Sequence, residues 1–183
     1  MSITAQHVRA TLDAYLDQHP ADKEALASLD EILVEAGDTI TSRKEFRGHV
    51  TAGAILVRPD GRVLTIEHRA LAKWLLPGGH LEDVDTTLLD AALRELAEET
   101  GIDLDQVKPD SSVPLHIDAH PIPASEAKGE PEHQHFDFRF LFRTAIGSDD
   151  VALQEEEVSA YSWQFPDTIT AEPLRSRILA ATR

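Results

Sequence analysis

Cysteine is absent from this 183-residue chain. That excludes disulfides, thiolate metal sites and a cysteine nucleophile, and it fits a reducing compartment. Long apolar runs are missing too. No stretch approaches the roughly 20 residues that a membrane span needs. The opening stretch, MSITAQHVRATLDAYLDQHP, lacks the basic start and continuous apolar centre of a secretory signal. The resulting expectation is a cytoplasmic protein with no membrane partner. Positive charge is scarce: 17 Lys and Arg stand against 33 Asp and Glu, a formal net charge of -16. Such a surface repels a phosphate polymer, so no nucleic-acid partner is expected. An anionic small molecule is still admissible where metal ions or a local basic patch receive it. The hydrophobic share of 42% points to a folded core rather than disorder.

The first 37 residues read as two helices. Val8, Leu12, Tyr15 and Leu16 recur at helical spacing, and His19-Pro20 breaks the pattern. Leu26, Leu29, Ile32, Leu33 and Ala36 form a second stripe that Gly37 stops. No basic recognition-helix pattern occurs in them. They predict an N-terminal helical extension over residues 1–44, ahead of a domain over 45–183. A homodimer contact and a lid over a pocket are the two roles open to such an arm.

From residue 49 the pattern turns to β. HVTAGAILVRPDGRVLTIEHR holds two strand-like runs joined by Pro59-Asp60-Gly61. KWLLP, SVPLHIDAHPIP, EHQHFDFRFLFRTA and VSAYSWQF read as further strands. PDTITAEPLRSRILAATR reads as a terminal helix, with Pro173 near its start. Residues 121–132, rich in Pro, Ala and Glu, are expected to form a mobile loop. A helix inserted among strands of mixed order predicts an α/β (α+β) fold with a mixed β-sheet.

That helix lies in PGGHLEDVDTTLLDAALRELAEETGI, residues 77–102. Thr87 followed by Asp90 resembles a capping box, with Asp in place of the usual Glu. The helix is expected from Leu88 to Thr100, with Gly101 as its left-handed stop. Leu89, Leu93, Leu96 and Thr100 share one stripe, assigned to the core. Glu95, Glu98 and Glu99 share another arc, turned away from it. Like charges at this spacing oppose a helix by roughly 0.2–0.5 kcal/mol per pair. Either the arc is an ordinary solvated acidic face, or the carboxylates wait for a cation. Ala91 and Ala92 leave room for a close approach, and Arg94 can hold Glu98 from one turn before it. Gly78 and Gly79 precede the helix in a loop and can expose their carbonyls. Carbonyl and carboxylate oxygens together suit Mg²⁺ or Mn²⁺.

This stretch resembles the Nudix hydrolase family, whose box is G-x5-E-x7-R-E-U-x-E-E-x-G-U with U aliphatic. Gly79, Arg94, Glu95, Leu96, Glu98, Glu99, Gly101 and Ile102 match it. Asp85 stands in place of the first glutamate, eight residues before Arg94 instead of seven. The extra residue is assigned to the loop, which leaves positions 94–102 in register. The resemblance implies a Nudix-like α/β/α sandwich that hydrolyses a diphosphate bond in a nucleoside diphosphate linked to another moiety. It implies Arg94, Glu95, Glu98 and Glu99 as catalytic residues. It also implies Mg²⁺ (or Mn²⁺) held by Glu95, Glu98, Glu99 and the Gly79 carbonyl, and a supporting role at position 85. The general base is left among Glu98, Glu99 and the loop residues Glu155, Glu156 and Glu157.

Nine histidines is a high count, and their spacing has a pattern. HIDAH sets His116, Asp118 and His120 at period two, and HQHFD does the same with His133, His135 and Asp137. On paired strands both trios would share one face. Asp118, His120, His133, His135 and Asp137 are then candidates for the polar wall of a substrate pocket. A separate transition-metal site and a plain solvent-facing hairpin are the other readings. His80 either reaches substrate or caps the glycine loop. His68, Arg69 and Lys73 form a local basic cluster, suited to a phosphate or simply solvated. Trp74 and Trp163 are read as core residues rather than stacking platforms. Two rival functions are carried beside hydrolysis. One is a non-catalytic nucleotide-binding module, suggested by Asp85. The other is a His/Asp metalloprotein using the 116–137 hairpin. An isomerase on the Nudix fold, which uses cysteine, is set aside.

Overall fold

The computed structural model describes residues 2–69, 71–127, 129–145, 151–153 and 158–182. The chain enters through α1 (Ala5–Gln18) and α2 (Ala27–Ala36), as the two apolar stripes predict. Strands β1 (His49–Val57), β2 (Val63–His68), β3 (Lys73–Leu75) and β4 (Gly78–His80) follow. Next come α3 (Leu88–Thr100), β5 (Val107–Pro109), β6 (His116–Ile122), β7 (His133–Thr144), β8 (Val158–Gln164) and α4 (Leu174–Ala181).

The strands form one mixed sheet around β1. β1 is buried at every position, as its nearly continuous run of small and apolar residues demands of a strand covered on both faces. β7 runs parallel to it, with His49 opposite His135 and Thr51 opposite Asp137. β4 pairs antiparallel on the other side, with Thr51 opposite His80. β2 joins β1 only at Val57 and Val63, then pairs with β3 and β8.

Strand alternation divides the burial. Val50, Ala52, Ala54 and Leu56 of β1 and the four phenylalanines 136, 138, 140 and 142 of β7 join the larger core with residues of α1, α2 and α3. On the opposite face Ile55, Val57 and Leu141 pack under Leu174 and Ile178 of α4. Helices thus cover both faces, the α/β/α arrangement expected. Toward the start of β1 that second face turns polar, at His49 and Thr51.

The arm is embedded in this core. Val8, Leu12, Tyr15, Leu29 and Leu33 are buried in the same cluster as Leu88 and Leu96 of α3. Its apolar stripe packs within the chain. A polar clip closes its far end. The Arg177 guanidinium donates to Asp22 Oδ2 at 2.8 Å and to the Tyr15 hydroxyl, and Tyr15 in turn bonds Asp22.

Several local expectations change. Gly78 and Gly79 are not in a loop but form strand β4. β5, hidden in a short polar stretch, pairs with β7. The 121–132 segment is partly ordered by pairing: β6 runs to Ile122, and Ser125 and Glu130 form an isolated bridge. Trp74 is 45% exposed on β3, which sits at the edge of the sheet among the described residues, whereas Trp163 is half-buried against the core under the Arg58 guanidinium. Among the described residues no helix is long and apolar enough to cross a membrane.

Candidate active site

Helix α3 begins where its sequence signals place it. The Thr87 hydroxyl accepts from the Asp90 N–H at 3.0 Å, and Gly101 ends the helix at φ 62°. The Asp90 carboxylate receives the Thr86 hydroxyl at 2.5 Å. The core face is rotated from the expected stripe. Leu88, Ala91, Ala92, Leu96, Glu99 and Thr100 are buried, while Leu89 and Leu93 are only partly so. The two alanines admit the sheet itself, since α3 lies along β1 and β4.

The rotation changes what the carboxylates face. They do not fan into solvent as one acidic arc. Glu99 is 5% exposed, and its Oε2 accepts the Gly78 N–H at 2.9 Å. Glu95 lies against the α-carbon of Gly79, where an added Cβ would come within 2.7 Å of Glu95 Oε2. A side chain at 79 would therefore push the Glu95 carboxylate out of its place. Burial pushes the Glu95 carboxyl up to about 7, against the downward pull of Arg94. The Glu98 side chain, 48% exposed, is the most open of the three.

Arg94 organises this cluster. Its Nε donates to Asp85 Oδ1 at 2.9 Å and its Nη2 to Asp85 Oδ2 at 3.0 Å, a two-pronged pair. Nη2 also donates to the His80 carbonyl at 2.8 Å. Nη1 donates to Glu95 at 3.0 Å and Glu98 at 2.9 Å. Burial alone would lower the Arg94 pKa, but Asp85 and Glu95 hold it well above its ordinary value. Asp85 is 3% exposed and also accepts the Glu82 N–H at 2.7 Å. The residue that departs from the family box thus ties the loop to the helix.

A second polar group occupies the other face of β4 and β1. The β6–β7 register sets Asp118 opposite Asp137, His120 opposite His135 and His116 opposite Arg139, so both trios share a face. His49, His80, His120, His133 and His135 form a ring cluster on it, with the His49 and His135 centroids 4.5 Å apart and those of His49 and His80 5.2 Å apart. Burial, reinforced by His49, pulls the His135 pKa down to about 3, so its imidazole is neutral. Asp137 receives Arg139 at 2.7 Å and the Thr51 hydroxyl. Asp118 bonds His120 Nδ1 at 3.1 Å, which raises the His120 pKa. His116 stands apart from the rings. It is buried, and its Nδ1 accepts from Arg177 at 2.6 Å.

The structure therefore brings Glu95, Glu98, Glu99, Arg94 and Gly79 together. It brings His80, Asp118, His120, His133, His135 and Asp137 together on the opposite face. Arg69 and Lys73 are exposed at the β2–β3 connection, where Arg69 Nε donates to the Val158 carbonyl at 3.5 Å. Glu155, Glu156 and Glu157 lie outside the described residues. His49, Thr51 and Arg139 join the polar face without having been singled out. Extending the period-two reading by two residues, along HQHFDFR and along HVT, was the available signal.

A model of the NUDIX domain matches residues 47–181. Among curated proteins, the chain is 38% identical over 106 residues to a probable DHNTP pyrophosphohydrolase of Lactococcus lactis subsp. cremoris, covering 55% of this chain and 61% of that one. It is 49% identical over 59 residues to phosphatase NudJ of Escherichia coli, covering 31% of this chain and 37% of that one. The matched stretches thus span less than two thirds of either relative. The solved E. coli dihydroneopterin triphosphate pyrophosphohydrolase shares the fold, with a TM-score of 0.53 at 20% identity over 72% of this chain and 92% of that one. The domain match takes in α3, the glycine strand and the whole sheet, and on it the chain belongs to the NUDIX family.

Proposed function

We propose that this protein is a divalent-metal-dependent hydrolase that cleaves a diphosphate bond in a nucleoside diphosphate linked to another moiety. The observation that carries the reading is the convergence of Glu95, Glu98 and Glu99 on Arg94 and on the backbone of β4. The name of the L. lactis relative, a pyrophosphohydrolase, supports the same bond type.

The donor set fits the ion that such chemistry needs. Asp85, Glu95 and Glu98 face one guanidinium, which leaves excess negative charge, and Glu99 adds a further carboxylate at Gly78; carboxylate oxygens are the ligands that hard dications prefer. The missing Cβ of Gly79 lets Glu95 approach the residue whose carbonyl would complete the set. Glu95, Glu98, Glu99 and the Gly79 carbonyl would hold Mg²⁺ or Mn²⁺. Such an ion, when bound, neutralises diphosphate oxygens and makes water a stronger nucleophile at neutral pH.

The chain's own residues do the positioning. Arg94 acts through the acids it holds and through the Asp85 loop. The Gly78 N–H fixes one oxygen of Glu99. Glu98, the most open acid, is our choice for the group that takes a proton from attacking water, with Glu99 and the loop residues Glu155, Glu156 and Glu157 as the alternatives. Among the described residues β4 pairs with β1 alone, so its other edge connects the acid side to the histidine side. A substrate across that edge would set its phosphates at α3 and its remaining groups against His80, Asp118, His120 and His135. In that wall His133 contacts His135, and Asp137 holds Arg139. Arg69 and Lys73 are exposed to receive further phosphate. A binding module without catalysis is less well supported, because Asp85 serves the site it was expected to impair. The cysteine-free, acidic composition supports a cytoplasmic setting.

The test is a panel of nucleoside triphosphates, dinucleotides and nucleotide sugars with Mg²⁺ or Mn²⁺, with products identified by ³¹P NMR. Cleavage between phosphorus atoms in at least one compound, lost in Glu98→Gln, is expected. Equal turnover by Glu98→Gln, or none across the panel, would reject the reading.

A further inference from the structure

We propose that His49, His133 and His135 form a second metal site, for a zinc-class transition ion, separate from the carboxylates of α3. One ligating atom from each of these residues lies within 4.8 Å of the others. His133 Nε2 and His135 Nε2 are 3.2 Å apart, against about 3.3 Å for two nitrogens on a tetrahedral zinc with bonds of ~2.0–2.1 Å.

The protonation pattern points the same way. His49 Nδ1 lies 3.2 Å from the Glu45 carbonyl, and His133 Nδ1 lies 2.8 Å from the Pro131 carbonyl. A carbonyl only accepts, so in both rings Nδ1 carries the proton and Nε2 presents a lone pair. A backbone carbonyl on the far nitrogen is the usual device that orients a metal-binding imidazole. His133 Nε2 has His135 beside it. His49 Nε2 is buried and has no hydrogen-bond partner among the described residues, in a residue 1% exposed. Leaving such an acceptor buried and unmet costs on the order of 1–3 kcal/mol. An ion among the three rings meets it.

Ligand chemistry selects the ion. Three imidazoles favour zinc and its neighbours over magnesium, which prefers oxygen. Neutral ligands leave the double positive charge uncompensated on a face of an otherwise acidic chain. They also leave a fourth position, on the side where His80 and His120 approach. His120, His135 and Asp137 form an overlapping group, but its acid is already held by Arg139 and Thr51 and its His120 by Asp118. An ion there would have to displace Arg139. The ion at His49, His133 and His135 instead ties the first residue of β1 to the start of β7.

The experiment is equilibrium dialysis of the full chain against micromolar Zn²⁺ with millimolar Mg²⁺ present, with bound zinc measured by mass spectrometry. Visible spectroscopy of the Co²⁺-substituted protein accompanies it. One equivalent of zinc is expected, with the intense Co²⁺ bands of four-coordination. His49→Gln and His135→Gln should each weaken zinc binding at least tenfold, while Glu98→Gln and His120→Gln retain it. Circular dichroism checks that each variant folds, and the Co²⁺ spectrum needs no variant at all. The proposal is overturned by absence of bound zinc or by weak octahedral Co²⁺ bands. It is equally overturned if folded His49→Gln binds normally, or if binding is lost through Glu98→Gln or through His120→Gln.

Discussion

The Arg94 guanidinium grips Asp85 with two parallel hydrogen bonds, Nε at 2.9 Å from one carboxylate oxygen and Nη2 at 3.0 Å from the other. The same guanidinium holds Glu95 and Glu98. The loop and the acids are therefore one mechanical unit. Arg94→Lys keeps the charge but cannot reproduce the fork. Misplacing reacting groups by about 1 Å costs roughly 10²-fold, so kcat is expected to fall by about that factor. Asp85→Ala leaves a largely buried guanidinium short of its main partner and should cost about 3 kcal/mol in urea unfolding. Unchanged kcat in Arg94→Lys would show that the unit is not coupled.

The two glycines of β4 should respond differently to alanine. At Gly79 the new methyl meets the Glu95 carboxylate, a movable side-chain end. Gly79→Ala is expected to fold normally and lose about 10²-fold in turnover. At Gly78 it meets Gly53 Cα at 2.7 Å and the Ala52 carbonyl at 2.8 Å, which are backbone. Gly78→Ala should instead lower stability by about 1–3 kcal/mol. Thermal melts beside kinetics separate the two.

Glu99→Gln keeps an oxygen to accept the Gly78 N–H, so its melting temperature should stay close to that of the parent. Its turnover with Mg²⁺ should fall by roughly 10²–10⁴ if the carboxylate charge is required. A drop in stability matching the drop in turnover would mean that the residue is structural only.

Acid should weaken the fold through His116. Burial first, then Arg139 and Arg177, push its imidazole from 6.5 down to about 4. The unfolded chain takes up the proton first as the pH falls. Stability is full above about pH 6.5 and declines until about pH 4, by up to about 3 kcal/mol. His49 and His135 shift in the same direction. The check is the difference between the parent and His116→Gln, which should unfold with a shallower pH dependence in that window.

Leu29→Ala in the N-terminal arm should cost about 2–5 kcal/mol, like a core truncation in the sheet, because Leu29 is fully buried in the same cluster as β7. A cost below about 0.5 kcal/mol would mark residues 1–44 as a dispensable appendage.

The limits of α3 were legible because its signals are local. A threonine cap, a left-handed glycine and a helical apolar period act within a few residues of chain. The period-two histidines were legible for the same reason, since alternation along a strand needs no partner to be read. The tilt of α3 was not legible. Several apolar residues lie around its circumference, and only the position of β4 turns Glu99 inward and leaves Leu89 at the margin. β4 itself, three residues long, has no periodicity to detect.

By itself the sequence determined the acidic helix, its register, the strand alternation and the exclusion of thiol chemistry. These follow from residue types and from spacings shorter than one element. Tertiary structure alone decided that Asp85 pairs with Arg94, that Glu99 is buried, and that His49 meets His133 and His135 across the parallel pairing of β1 with β7. Each of these depends on which elements become neighbours, and that is set by how the whole chain buries its apolar surface rather than by any local stretch.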